Sequence, residues 1–414
     1  MRSSSFLRRS DRRVVRTMVQ RTGVAGAAAA AVAATTLAAA ACGDYTAPDP
    51  GPGPVAGDPV AGLTPGQLNQ FTAGRERFQR LFAIDQGLGP LFNETGCGAC
   101  HFVPVAGGSG VTVEFLATAE LPDGTCDPLL ASGGPVFQRR VAFSVQQAYG
   151  FELEPIPPEA TATAEHATPD LFGFGLLEAV AESEILSRAD PNDVDRDGIS
   201  GRVGRSADGS VGRFGRMASF ATISDFVAEA FLVEMGLTSP DRPEEGSAGG
   251  LPLPPGSDPV PDPDVGDDMI RLTAAFIRFL APPAQLPLSE AGENGRRLFS
   301  DIGCADCHVP TLRTGTHPVA ALANREVDAY SDLLLHDMGP QLAGVCLGSA
   351  KRGEMRTEPL MGLRLVERFM HDSRAGSVTE AIVLHGGEAA SAARAFGSLP
   401  AADRSDMLEF LSSL

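Results

Sequence analysis

The sequence predicts a mainly α-helical fold, built from two small helical units with long irregular segments. Three observations predict it. The motif Cys-x-x-Cys-His occurs twice, as Cys97-Gly98-Ala99-Cys100-His101 and as Cys304-Ala305-Asp306-Cys307-His308. Similar segments precede both copies: Ala73-Gly74 through Phe78 and Leu81-Phe82 before the first, and Ala291-Gly292 through Leu298-Phe299 before the second. This is an internal repeat of one unit. Strand signals are few, and the apolar residues near the motifs fall at helical spacing.

The motif has a specific chemistry. Its two thiols add across the vinyl groups of haem, and its histidine then lies close enough to bind the iron on the proximal face. A zinc site would need a further ligand pair at short spacing from each motif, and none is present. The expected cofactors are therefore two covalently bound c-type haems, held by Cys97, Cys100, His101, Cys304, Cys307 and His308. The two units read as cytochrome c-like haem domains, in which haem supplies much of each small core.

Length and charge narrow the setting. The chain has 414 residues, enough for two domains and an export segment. A net charge of −19 argues against a nucleic-acid partner. It suits a small electron-donor protein or a respiratory component. Residues 24–41 are almost wholly Ala, Val, Gly and Thr and follow an Arg-rich start, so residues 1–41 read as a signal peptide. Ala39-Ala40-Ala41-Cys42 is similar to a lipoprotein cleavage box, which makes Cys42 the expected lipidation site. The expected location is the periplasm or cell envelope, with membrane contact only through that lipid. Of the seven cysteines, Cys126 and Cys346 then remain. In an oxidising compartment they are expected to form a disulfide.

The elements follow in order. Residues 42–62, rich in Pro, Gly and Asp, read as a flexible tether. An N-terminal haem domain is expected over 63–238. Its first helix opens with Thr64 as N-cap and Pro65 behind it. Gly inside the repeated helices costs stability, so a close approach to another helix or to haem is expected there. Residues 239–268 form a linker or surface excursion. A C-terminal haem domain is expected over 269–414. It opens with Met269, Leu272, Phe276 and Phe279 or Leu280 at helical spacing before Pro282-Pro283, and ends in a helix bearing Met407, Phe410 and Leu411.

Several segments resemble the bacterial di-haem oxidoreductase family described as peroxidases or thiol oxidoreductases. They are residues 168–180, 197–202, 212–216, 330–339, 369–372 and 380–388. The family is in turn similar to bacterial di-haem cytochrome c peroxidases and to the di-haem enzyme that matures methylamine dehydrogenase. The resemblance implies one haem that stores an electron and one that meets peroxide. It implies a distal ligand at the end of Glu380–Leu384, where this chain has His385. It makes His308 and His385 the axial pair, with His336, Met338 and Met370 as rivals. It places a catalytic acid at Glu234, positioned to move a proton between peroxide oxygens. Phe226 stands where Gln is expected and Ala230 where Pro is expected. Arg216 stands where the relatives have a tryptophan, and the chain has none. His371 matches a histidine near the haem in the relatives.

Three further groups draw attention. Asp193, Asp195 and Asp197 alternate like the start of a calcium loop, with Gly198 permitting the turn, though no Glu stands at the twelfth position. Glu178 is a second acidic candidate. His166 is a further distal candidate in Ala- and Thr-rich surroundings that read as an exposed loop. The expected function is an exported, peroxidase-like di-haem c-type oxidoreductase. The alternative is a non-enzymatic periplasmic electron-transfer cytochrome with both irons six-coordinate.

Overall fold

The computed structural model describes residues 53–414. The expected signal peptide, Cys42 and the first part of the tether lie outside the described residues. Helix α1 (Pro65–Phe78) begins with a reciprocal cap: Gln67 N donates to Thr64 Oγ1 at 3.3 Å, and Thr64 N donates to Gln67 Oε1 at 2.8 Å. Strand β1 (Val113–Glu120), short β2 (Cys126–Asp127) and β3 (Ala162–Ala167) follow, then helices α2 (Ile223–Met235), α3 (Asp267–Phe279) and α4 (Glu290–Asp301). The chain continues through β4 (Leu335–Asp337), β5 (Glu354–Arg356), α5 (Val378–Leu384), α6 (Ala390–Ser398) and α7 (Ala401–Leu411).

Two helical pairs repeat one packing scheme. Helix α1 lies on α3, where the fully buried Phe276 ring meets Phe71 at 5.2 Å and Phe78 at 4.9 Å between centroids. A Cβ on Gly74 would lie 2.2 Å from the Leu272 carbonyl oxygen, so only glycine lets the helices approach this closely. Helix α4 lies on α7 in the same way. Phe299 meets Phe410 at 5.4 Å, and a Cβ on Gly295 would lie 2.0 Å from the Asp406 carbonyl oxygen. The Ala-Gly pairs of the sequence align Gly74 with Gly292, but packing pairs Gly74 with Gly295. Each of these two stands four residues before the phenylalanine that faces its motif histidine.

The packing redraws the expected boundaries. The helix expected to open the C-terminal domain at residue 269 closes the first pair instead, because its apolar face fits the Phe71–Gly74–Phe78 surface. Residues 53–62, expected as flexible tether, are paired along the end of α3. Val60 N donates to Phe279 O at 2.8 Å, and Ala281 N donates to Asp58 O at 2.9 Å. The 239–268 run also packs down, with Ala248 buried in a small core with Leu91, Val141 and Val145.

The fold is more mixed than a mainly α reading, at 33% helix and 14% strand. Strands β1 and β3 pair antiparallel, with Glu114 opposite His166 and Leu116 opposite Ala164. Directly opposed residues place their side chains on the same face. Cys126 of β2 is joined to Cys346 in a disulfide with Cα atoms 5.8 Å apart. Cys346 N donates to Thr118 Oγ1 of β1 at 3.2 Å, so the bond fastens the loop before β5 to this sheet. Among the described residues, no helix is long and apolar enough to cross a membrane.

Candidate functional site

Two cavities flank the two motifs. The first, about 710 Å³, is lined by Cys97, Cys100 and His101 on one side and by Glu234, Ala230 and Phe226 of α2 on another. The ring of Phe78 lies 6.1 Å from that of His101. His101 Nδ1 donates to the Pro169 carbonyl at 2.8 Å, which orients the ring and leaves Nε2 as its free nitrogen. Burial pushes the His101 pKa down to about 4, so the imidazole is neutral, the form that binds a metal.

Glu234 faces this cavity, and Asn93 Nδ2 donates to its Oε2 at 2.8 Å. A second carboxyl, Glu114 of β1, lies beside it within hydrogen-bond reach. Burial raises both above the usual carboxylate range, and the like charge of Glu114 raises Glu234 further. His166 Nδ1 lies 3.4 Å from Glu114 Oε1. His166 is 5% exposed, not on an open loop, because β3 pairs it across the sheet from Glu114. Burial holds it neutral, with a pKa of about 3, and its Nε2 has no protein partner.

The second cavity, about 270 Å³, is lined by Cys304, Cys307, His308 and His385. The first motif's arrangement recurs: Phe299 lies 6.4 Å from the His308 ring, and His308 Nδ1 donates to the Tyr330 carbonyl at 2.9 Å. The His385 ring faces that of His308, with centroids 6.4 Å apart. His385 Nδ1 donates to Ala381 O at 2.7 Å, again leaving Nε2 free. Two imidazoles sharing one metal through Nε2, with bonds of about 2 Å, have ring centres about 6 Å apart. The spacing therefore fits an iron held between these rings. The four motif cysteines are free of disulfide bonds, so each motif offers its full donor set for haem.

Among the rivals, Met338 and Met370 line the same cavity. His336 does not offer a free nitrogen. Its Nε2 meets Asp332 at 2.9 Å and its Nδ1 meets Glu388 at 2.8 Å. Burial opposes its charge, but the bonds to Asp332, Cys307 and Glu388 prevail and raise its pKa to about 12. It is a clamped imidazolium.

Arg216 lines both cavities, with Ala167, Thr168 and Pro169. Its Nη2 donates to Ala167 O at 3.0 Å, and its Nη1 pairs with Glu358 at 3.2 Å. Arg356 pairs with Glu358 at 2.7 Å, and burial raises nearby Asp170 to about 7. A charged partition thus stands between the two cavities. His371 also borders the second cavity, with its ring 6.0 Å from His166. Glu178 is used elsewhere, pairing with Arg278 and accepting from Ile223 N at 2.8 Å at the start of α2.

The carboxylates of Asp193, Asp195 and Asp197 come within 4.8 Å of one another. Sequence reading missed a second such cluster, Glu245, Asp258, Asp262 and Asp264, in the 239–268 run. It also missed Glu114, whose place in the first cavity depends on strand pairing.

Residues 159–414 match the model of the family described as "Di-haem oxidoreductase, putative peroxidase". The chain belongs to this family of di-haem oxidoreductases. No curated protein matches it. Among solved structures, it is similar to hydrazine synthase of Kuenenia stuttgartiensis at 12% identity, covering 84% of this chain and 87% of that one, with a TM-score of 0.41. It is also similar to the diheme peroxidase BthA of Burkholderia thailandensis E264, at 14% identity over 84% and 86% of the chains with a TM-score of 0.34. A MauG-like protein associated with microbial copper homeostasis shares 16% identity over 63% and 90% of the chains, with a TM-score of 0.29.

Proposed function

We propose that this protein is an exported c-type di-haem oxidoreductase that reduces peroxide in the His101 cavity. One observation carries the proposal: the two cavities are unlike. His308 is faced by a second imidazole at iron-sharing distance, whereas the His101 cavity presents the carboxyls of Glu234 and Glu114, and its second imidazole, His166, lies against Glu114. The first arrangement suits electron storage and the second suits chemistry. Haem bound at each motif would supply one-electron chemistry and, in the first cavity, an iron with an open position for peroxide.

The protein's own groups do the rest. Cys97, Cys100, Cys304 and Cys307 anchor the haems covalently, and His101, His308 and His385 bind iron. Reduction of peroxide to two waters breaks the O–O bond and consumes two electrons and two protons. A small electron-donor protein or respiratory component supplies the electrons, and Glu234 moves a proton between the peroxide oxygens. Arg216 holds charge between the cavities, and its guanidinium suits a haem propionate. The same proposal includes a signal peptide over 1–41, lipid at Cys42 and calcium at Asp193, Asp195 and Asp197.

Electron paramagnetic resonance of the oxidised holoprotein, with and without cyanide, tests this. One low-spin signal and one high-spin signal that cyanide removes are expected, together with peroxide consumption by the half-reduced protein. Two low-spin signals and no peroxide reaction would make the protein an electron carrier.

A further inference from the structure

The first cavity holds two carboxyls where the proposed reaction asks for one acid. They arrive from distant parts of the chain, Glu234 on α2 and Glu114 on β1. They lie within hydrogen-bond reach of each other in the cavity that His101 also lines. Two carboxylates this close cannot both ionise cheaply in poorly solvated surroundings, so such pairs share one proton. The surrounding bonds hold the pair in place. Asn93 Nδ2 donates to Glu234 Oε2 at 2.8 Å, and Asn93 Oδ1 accepts from Arg139 N at 3.0 Å. Strand pairing sets Glu114 against His166, whose Nδ1 lies 3.4 Å from Glu114 Oε1.

We propose that Glu114 is a second acid–base residue that shares a single proton with Glu234, so that the pair can accept one proton and donate another within a single turnover. The proposal rests on the reading of this cavity as the place of peroxide reduction. One member, as carboxylate, takes a proton from the bound peroxide. The other, as carboxylic acid, gives a proton to the departing oxygen as the O–O bond breaks. The pair ends with the charge it began with. One electron comes from each of the two haems, both refilled by the donor protein, and the two protons that complete the second water come from solvent. A lone carboxylate must return the proton it has just taken. A pair already holds the second one.

The other charged groups bordering the cavity are Glu94, Arg205, Arg216, Asp225, Glu229 and Arg242. Arg242 is taken up by Asp225 and by Glu229, the latter at 2.7 Å. Arg216 favours the ionised form of Glu114, and burial outweighs it.

The test is infrared titration of the holoprotein, following the band of a protonated carboxyl, in wild type and in Glu114→Gln. In the wild-type-minus-variant difference spectrum, which cancels other buried carboxyls such as Asp170 and Glu154, one protonated carboxyl is expected to persist through neutral pH. In Glu114→Gln the remaining carboxyl loses its like-charged neighbour, so its titration should fall by about one pH unit or more, a tenfold loss of proton affinity. The pH limb of peroxide turnover should move with it, and Glu114→Asp should restore much of both. Should Glu114→Gln fail to fold, Glu234→Gln reports the same sharing on Glu114. Identical titrations in wild type and both variants would overturn the proposal. A shifted titration without peroxide consumption in wild type would keep the shared proton and overturn the peroxidase reading instead.

Discussion

The imidazoles of His308 and His385 face each other with ring centroids 6.4 Å apart, each ring held by an Nδ1 bond to a backbone carbonyl. This predicts a bis-histidine, low-spin haem at the second motif. His385→Gly should leave both haems attached but convert one low-spin signal to high spin and expose it to cyanide. An unchanged spectrum would pass the ligand role to Met338 or Met370.

Glu234 lies in the first cavity with Asn93 fixing one carboxylate oxygen. Glu234→Gln keeps the shape and most of the bonding but cannot carry the proton. Peroxide turnover is expected to fall by about 10²-fold or more, the scale for losing a general acid–base group. Haem content and the low-spin signal should stay unchanged.

Gly74 and Gly66 sit in the same helix with opposite surroundings. A Cβ on Gly74 would meet the Leu272 carbonyl oxygen at 2.2 Å, whereas one on Gly66 would meet nothing within 4 Å. Gly74→Ala should destabilise by about 1–3 kcal/mol as α1 and α3 are pushed apart. Gly66→Ala should be neutral or stabilise by about 0.4–1 kcal/mol, because it only narrows the unfolded ensemble. Denaturant melts of the two variants give the comparison.

The haem motifs, the α1 cap and the glycines at helix contacts were legible in the sequence because their signals are local. Thr64 and Gln67 cap each other three residues apart, and each motif lies within five residues. The partner of α1 was not legible. Helix α3 stands just before the second motif, and nothing local shows that Phe276 belongs between Phe71 and Phe78. Glu114 and His166 were hidden for a related reason. Their strands are short of the β-branched and aromatic residues that announce strands, and the paired residues stand about fifty positions apart in the chain. His385 became a candidate through the family resemblance alone, since no spacing rule ties it to His308.

The Cys126–Cys346 disulfide spans 220 residues and fastens the loop before β5 to the β1–β3 sheet. In the chain-entropy model, closing so long a loop stabilises by about 3–5 kcal/mol. Replacing both cysteines with Ser should lower the unfolding midpoint accordingly while both haems remain. Thiol titration of unfolded, unreduced holoprotein should find neither cysteine free.

Glu154 is 5% exposed, and its carboxylate accepts from Gln138 N and Gly249 N, each at 3.0 Å. Burial raises its pKa from 4.5 to about 7, against the pull of those two bonds. The folded form therefore binds this proton more tightly than the unfolded chain does. Its stabilising contribution is complete below about pH 4.5 and is lost as pH rises to about 7, a change on the order of 3 kcal/mol. Glu154→Gln should flatten this part of the pH–stability curve. It should also cost about 1 kcal/mol or more at low pH, because one amide oxygen cannot serve both backbone donors. Denaturant unfolding of wild type and variant between pH 4 and pH 8, about the window set by Glu154's two pKa values, measures both effects. Parallel curves across that window would show that Glu154 does not carry the slope.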